Sequence, residues 1–167
     1  MKTFRLLFLL SIYSIIFLTA CNNKQCDSHY IGEDCDEEIL PSIITITDLL
    51  VTKYPTQDIN GNSWDLLSDP DVYISISDFS GNFSVNTDGY FEDVDSQTIS
   101  FADVNMTILA PLASYKLNIY DYDSLDNDDL IGQISRFELY IPGEDFPNRI
   151  ILENASIRVI LSLSYSW

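Results

Sequence analysis

The chain has 167 residues, of which 46% are hydrophobic and 13% aromatic, so it can bury one core of ordinary size. Its formal net charge of −18 argues against electrostatic binding to nucleic acid or to anionic lipid, both of which need basic partners. Acidic residues in such excess either form a solvated, self-repelling surface or gather to hold cations. Clustering along the chain is what distinguishes these two cases.

The first twenty residues have the organisation of an export signal. Lys2 and Arg5 precede an apolar run from Leu6 to Phe17, which is too short to cross a bilayer as a stable helix. The run ends in Leu-Thr-Ala-Cys21, which resembles the bacterial lipobox. The resemblance implies that residues 1–20 are removed and that Cys21 carries the lipid that anchors the chain to a membrane. An ordinary secretory signal with an incidental cysteine is the alternative.

The same resemblance implies where the chain resides. Lipid-anchored proteins of this kind lie in the bacterial cell envelope, and Asn22 in place of Asp favours the outer membrane, on its periplasmic or its external face. If Cys21 carries lipid, Cys26 and Cys35 remain as an even pair in an oxidising compartment, which favours a disulfide between them.

The segment that follows the anchor resembles the last loop of an EGF-like module. An aromatic residue, Tyr30, is followed by Gly32 and then by Cys35 at the spacing of that loop, although the cysteines of the other two EGF disulfides are absent from the sequence. The resemblance implies a small stapled knob on a tether over residues 21–40, with Gly32 in a backbone conformation that other residues resist. We expect His29 at its surface, not as a metal ligand or base, and we expect a solvated linker at Asp34, Asp36, Glu37 and Glu38.

From Ile43 onward apolar and polar residues alternate with a period of two, which is typical of β-strands. Turn-forming clusters such as Ser80-Gly-Asn82 and Thr87-Asp-Gly89 separate the alternating runs. The clearest predicted strands are Ile44 toward Val51, Val72–Ser77, Ile99–Phe101 continuing toward Leu109, Leu117–Tyr120, Ile131–Ile141 and Ile157–Trp167. The pattern predicts an all-β fold, an antiparallel eight-stranded β-sandwich over residues 41–167.

Carboxylates cluster in two segments, each at one end of a predicted strand. One segment, residues 65–71, precedes the strand at Val72, and the other, residues 121–129, follows the strand at Leu117. Asp121 and Asp123 continue the alternation of that second strand, so their side chains project to the same side. Carboxylates held this close repel one another, and Ca²⁺ relieves the repulsion because it takes many oxygen ligands.

At these positions the sequence resembles the C2 domain family, a calcium-binding β-sandwich. The first family motif has two aspartates six residues apart before an aromatic and aliphatic strand, and the second has Asp-aromatic-Asp, five residues, then Asp, two hydrophobic residues and Gly. The resemblance covers about Ile43 to Trp167. It implies five carboxylate ligands for Ca²⁺, namely Asp65, Asp71, Asp121, Asp123 and Asp129. Backbone carbonyls of Trp64 and Tyr122 are further implied ligands, and Asp69 is an alternative to Asp71 because Pro70 stands before Asp71.

An EF-hand is the rival calcium motif. The segment from Asp121 begins like one, but Leu125, Asp126 and Gly132 stand where an EF-hand needs an oxygen ligand, a glycine and a glutamate. Asp58-x-Asn60-x-Asn62 also begins like an EF loop, yet Ser63 replaces the required glycine. We expect Asp58 and Asn60 to be turn residues, or outer ligands.

The sequence predicts a binding module and not an enzyme. The one histidine lies in the tether, and crowded aspartates suit a cation better than a catalytic proton. We expect a lipid-anchored calcium-binding module whose loops contact a protein, a glycan or a membrane, and no nucleic acid. The alternatives are a structural envelope lipoprotein without a calcium-dependent partner, and a calcium-triggered phospholipid binder in which Leu125 inserts. A solvated acidic rim that binds no ion also stays open.

Overall fold

The computed structural model describes residues 25–27, 29–58, 60–64, 68–124 and 127–167. All the regular secondary structure in these ranges consists of β-strands. The described residues form no helix that is long and apolar enough to cross a bilayer. The strands in chain order are β1 (Tyr30–Ile31), β2 (Glu37–Glu38), β3 (Ile43–Lys53), β4 (Val72–Asp78), β5 (Ser84–Asn86), β6 (Ile99–Phe101), β7 (Met106–Ile108), β8 (Ser114–Asp121), β9 (Asp129–Glu138), β10 (Arg149–Glu153) and β11 (Arg158–Ser166).

Two antiparallel sheets share one hydrophobic core, so the predicted antiparallel β-sandwich is confirmed. One sheet has the order β10-β11-β3-β6, with β7 pairing the first part of β3, and the other has the order β5-β4-β8-β9. The described residues thus place nine strands in the sandwich instead of about eight. The stretch predicted as one strand from Ile99 is divided into β6 and β7, because Asp103 and Asn105 between them have φ angles of 55° and 47°.

The core follows from the alternation seen in the sequence. On β4 and β8 the inward residues face each other in register, with Ile74 opposite Ile119 and Ile76 opposite Leu117, and all four are fully buried. Burying such a side chain stabilises the fold by roughly 1.5–3 kcal/mol relative to leaving it in water. The sandwich is therefore fixed by the period of two, and the loops at its ends are positioned by the strands.

The long strands β3 and β11 define two ends of the sandwich. Ile43 pairs with Ser166 at one end, and Lys53 pairs with Arg158 at the other. The second end also holds the start of β4 and the finish of β8, since the buried Tyr54 that follows β3 lies within electrostatic reach of Asp121. We call the end with Lys53 and Asp121 the acidic end, and the end with Ile43 and Ser166 the knob end.

Residues 25–27 and 29–41 form a small stapled unit, the knob, which packs on the knob end. A disulfide joins Cys26 to Cys35, as expected, and β1 pairs with β2. Gly32 has a φ of 93°, in the region that residues with a Cβ resist, so its predicted conformation is also found. The division between tether and sandwich at residue 40 stays a prediction.

Two residues of the knob make contacts with the sandwich that the sequence did not predict. His29 is half-buried, because its ring stacks on that of Trp167 with 3.7 Å between the centroids. Asp34, Asp36 and Glu37 are exposed as expected, but Glu38 is half-buried, and its Oε2 accepts a hydrogen bond of 2.7 Å from the backbone amide of Gly143. Trp167 in turn donates its indole N–H to the carbonyl oxygen of Ile39 at 2.7 Å. These contacts fix the knob against the sandwich, so it does not hang from a free tether.

Candidate functional site

The acidic end brings together residues from the two acidic segments. Asp121 is the last residue of β8 and is fully buried, on the same side of the strand as Ile119. The backbone amide of Asp71 donates a hydrogen bond of 2.6 Å to Oδ1 of Asp121, and the amide of Tyr122 donates one of 2.7 Å to the carbonyl oxygen of Asp71. Residues some fifty positions apart therefore lie side by side, because β4 and β8 are neighbours in one sheet.

A third loop, which lies between β5 and β6, contacts the first acidic segment. The side-chain Oδ1 of Asp71 accepts a hydrogen bond of 2.9 Å from the backbone amide of Asp93, and the amide of Val94 donates one of 3.0 Å to the carbonyl oxygen of Pro70. The loop contributes further carboxylates at Asp88, Glu92, Asp93 and Asp95. Sequence reasoning missed this loop, although its density of acidic residues was a visible signal.

The loop after β8 is held by a carboxylate that the motif does not include. Oδ1 of Asp128 accepts a hydrogen bond of 3.2 Å from the backbone amide of Asp123, and its Oδ2 accepts one of 2.6 Å from the hydroxyl of Tyr73. Burial, followed by this hydrogen bond to Asp128, raises the pKa of the Tyr73 phenol. Asp129 begins β9 directly opposite Asp121, on an exposed position of the strand.

The phenol of Tyr54 reports the electrostatic field of the site. Its hydroxyl donates to the carbonyl oxygen of Ser96 at 3.0 Å. Burial raises the pKa of Tyr54 to about 12, and the negative charges of Asp69, Asp95 and Asp121 add to the effect. Carboxylates from three separate parts of the chain thus act on a single buried hydroxyl, which shows that negative charge is concentrated at this end.

Tyr90 and Tyr122 form the exposed aromatic part of the site. Their rings stack with 4.5 Å between centroids, and 41% and 38% of their surfaces are exposed. Partial desolvation, with the charges of Glu92 and Asp71, raises the pKa of Tyr90. Trp64 is half-buried, packs on the core and donates its indole N–H to a backbone carbonyl at 3.0 Å. Tyr122 follows Asp121 directly, whereas the described contacts of Trp64 are with the core and with Pro55.

The described carboxylates do not form a finished metal cage. Among the residues that the structure describes, no group of three or more His, Cys, Asp or Glu side chains has the arrangement of a metal site. Asp65, the first ligand implied by the family motif, lies outside the described residues, as does the implied lipidation site Cys21. Asp71, Asp121, Asp123 and Asp129 all lie at the acidic end.

The segment at Asp58, which begins like an EF loop, is a turn. Oδ1 of Asp58 accepts hydrogen bonds of 2.8 Å from the backbone amides of both Asn60 and Asn62. Its Oδ2 accepts from the side-chain amides of the same two residues, at 3.3 Å and 3.0 Å. These hydrogen bonds lower the pKa of Asp58. Asp58 is committed to its own loop, as expected of a turn residue.

No protein-family model and no curated protein sequence matches this chain. Among solved structures, a C2 domain of plant extended synaptotagmin 1 is similar at a TM-score of 0.54 and 13% identity, over 76% of this chain and 96% of that one. BON1-C2B is similar at a TM-score of 0.50 and 11% identity, over 76% of this chain and 94% of that one.

A human enzyme contains a similar unit. The GIVD cytosolic phospholipase A2, in complex with methyl gamma-linolenyl fluorophosphonate, is similar at a TM-score of 0.51 and 17% identity. The similarity extends over 74% of this chain but only 17% of the phospholipase chain. Together these structures show that residues of this chain form a sandwich with the C2 fold, as the sequence resemblance predicted.

Proposed function

We propose that this C2-like sandwich is a lipid-anchored module of the bacterial cell envelope that binds Ca²⁺ at its acidic end. The ion would fix loops that contact a protein, glycan or membrane partner. The hydrogen bond from the amide of Asp71 to the buried carboxylate of Asp121 carries the proposal, because it joins the two acidic segments. Like charges brought this close raise the free energy of the folded state, and a divalent cation between them lowers it.

The donor atoms suit calcium. An ionised carboxylate has two oxygens with several lone pairs, so Asp71 and Asp121 can accept an amide hydrogen and still offer an oxygen to a cation. Calcium also accepts backbone carbonyl oxygens, such as those of Trp64 and Tyr122, in irregular geometry. Since the described carboxylates are not yet gathered into a cage, ion binding has to draw them together with Asp65. We therefore expect an affinity in the range of extracellular modules, about 10⁻⁴ to 10⁻³ M.

The anchor and the location follow from the N-terminal segment. The basic start, the apolar run and Cys21 support lipidation and export. The disulfide between Cys26 and Cys35 suits an oxidising compartment, such as the envelope. We propose the outer membrane, as favoured by Asn22, and a binding role without catalysis, because the crowded carboxylates suit a cation.

Unfolding of the lipidated chain in detergent, with EDTA or with calcium at about 10 to 100 mM, tests the proposal. At a free calcium concentration of 100 times Kd, the free energy of unfolding should rise by about 2.7 kcal/mol. The double variant Asp123→Asn with Asp129→Asn should lose that rise. An equal rise in the double variant would mean that these two residues are not ligands.

The second candidate is a structural envelope lipoprotein without a calcium-dependent partner. It is favoured by the hydrogen bonds that hold the loops at Asp71 and Asp58 by contacts within the protein itself. Calcium that stabilises the fold without promoting binding to any partner would select it, whereas the absence of any calcium effect on unfolding would select a solvated acidic rim that binds no ion.

A further inference from the structure

The knob and the acidic end lie at opposite ends of the sandwich. β3 runs for 11 residues from the knob end to the acidic end, which corresponds to roughly 33 Å at about 3.3 Å per residue. Tyr54, next after β3, lies within the field of Asp121, whereas Ile43 begins β3 beside the C-terminal strand. The sandwich therefore separates its acidic loops from its knob by about the full length of a strand.

The knob is held at its end by contacts from several directions. Trp167 stacks on His29 and donates to the carbonyl oxygen of Ile39, while Glu38 accepts from the amide of Gly143. The amide of Ser42 also donates to the carbonyl oxygen of Ser166 at 2.8 Å. Because these contacts reach the knob both before β1, at His29, and at the end of its hairpin, at Glu38 and Ile39, the knob and the sandwich form one packed body.

The chain between the anchor and this body is short. Cys21 precedes the disulfide-bonded Cys26 by five residues, so even a fully extended segment spans at most about 18 Å. If the acidic loops met the anchoring membrane head-on, the knob would stand roughly 30 Å above it. The segment is too short for that distance.

From these lengths we infer that the acidic loops cannot dock end-on into the membrane that carries the anchor, and that they present themselves to a partner on the far side of the protein. The inference rests on the proposed lipidation and states which way the proposed calcium site faces relative to the membrane. A bilayer can be the partner only as a second, apposed membrane. The net charge of −18 also disfavours docking into the anchoring membrane, because an anionic leaflet repels the acidic end.

The two tryptophans of the chain provide matched probes. Trp167 lies at the knob end, and Trp64 donates to Pro55 next to the acidic end. The lipidated full chain is reconstituted on vesicles whose outer leaflet contains a dansyl-labelled lipid, and energy transfer from tryptophan to dansyl is measured. The variant Trp64→Phe leaves only the donor near the knob, and Trp167→Phe leaves only the donor near the acidic end.

We expect several-fold more efficient transfer from Trp167 than from Trp64, with and without calcium. Transfer in the unmodified chain should be intermediate, which controls for the hydrogen bond to Ile39 that Trp167→Phe removes. Equal transfer from both donors, or transfer from Trp64 that rises to the level of Trp167 when calcium is added, would overturn the inference.

A linker variant tests the length argument separately. Insertion of about 15 Gly and Ser residues between Cys21 and Cys26 lets the body sample all orientations, since such linkers behave as flexible coils. The difference between the two donors should then shrink, and a difference that persists unchanged would refute the length argument. Mass spectrometry of Cys21 keeps the outcomes distinct. An unlipidated chain removes the anchor and this inference together, whereas loss of the calcium effect on unfolding leaves the orientation intact.

Discussion

The backbone amide of Asp71 donates a hydrogen bond of 2.6 Å to the carboxylate of Asp121, which is fully buried at the end of β8. The contact joins the start of β4 to the end of its neighbour β8. An ionised carboxylate in this position has lost most of its hydration, and Asp121 lies beside the backbone of Asp71 and opposite Asp129 in the sheet. The electrostatic energy of the acidic end therefore depends strongly on this one side chain.

Replacing Asp121 by Asn should separate the effect of its charge on stability from the effect of its hydrogen bond. Asn keeps an oxygen that can accept from Asp71, while it removes a buried negative charge whose desolvation costs several kcal/mol. We expect the variant to be at least as stable as the unmodified chain in EDTA, and to gain no stability from calcium. Urea unfolding with and without calcium measures both effects.

Asp78→Asn is the matched control at the other end of β4. Asp78 accepts from the hydroxyl of Ser80 at 2.6 Å and lies far along the strand from Asp71. Its replacement should leave the calcium-dependent gain unchanged. If Asp78→Asn reduced that gain as much as Asp121→Asn, the ion would not be bound at the acidic end.

The phenol of Tyr54 should link stability to alkaline pH. Because its pKa is raised from 10.0 to about 12 in the folded protein, the stabilising effect is complete below pH 10 and is lost as the pH rises from 10 to 12. The variant Tyr54→Phe should lose less stability over that interval, as measured by urea unfolding at each pH. An identical loss in both proteins would show that Tyr54 does not titrate as described.

Calcium should lower the pKa of the same phenol. Burial contributes most to the raised pKa, but the charges of Asp69, Asp95 and Asp121 also contribute, and a bound divalent cation would offset them. The difference in phenolate absorbance between the unmodified chain and Tyr54→Phe isolates this group from the other tyrosines. A pKa that calcium leaves unchanged would place the ion away from these carboxylates.

The packing around Gly132 explains why the second acidic motif ends in a glycine. A Cβ at this position would collide with Cδ1 of Ile157 and come within 3.0 Å of its Cγ1, and Ile157 is fully buried. Gly132→Ala should therefore lower the free energy of unfolding by about 1–3 kcal/mol. Ile157→Val removes the Cδ1 atom, so the double variant should be more stable than the sum of the single effects predicts. Strict additivity in urea unfolding would mean that the two side chains do not meet.

The disulfide should act locally. Cys26→Ser with Cys35→Ser opens a short loop, which removes roughly 2–3 kcal/mol of stabilisation. Hydrogen exchange should accelerate in residues 30–38, while the amides of β4 and β8 stay protected because the sandwich core does not involve the knob. Faster exchange throughout β8 would show instead that the knob is part of one cooperative unit with the whole sandwich.

Much of the sandwich could be predicted from the sequence because its central strands are amphipathic. Val72, Ile74 and Ile76 alternate with polar residues, and all three are buried as the period of two requires. The edge strands β5 and β10 could not be predicted as easily. β5 has three residues of which only Val85 is hydrophobic, and the hydrophobic residues of β10 are consecutive and do not alternate with polar ones.

The candidate site was predicted in part. The alternation through Leu117 and Ile119 correctly placed the Asp121 side chain on the buried side of β8. The roles of Asp93 and Asp128 could not be found this way, because each depends on a loop contact, to Asp71 and to Tyr73, that no periodicity encodes. The stacking of His29 on Trp167 was missed for the same reason, since it joins residues from the two ends of the described chain.

A calorimetric titration of the lipidated chain with calcium tests the central claim most directly. We predict saturable binding with a Kd of about 10⁻⁴ to 10⁻³ M that Asp121→Asn abolishes and Asp78→Asn leaves intact. Heats no larger than those of dilution, or the same binding curve in Asp121→Asn, would contradict a calcium site at the acidic end.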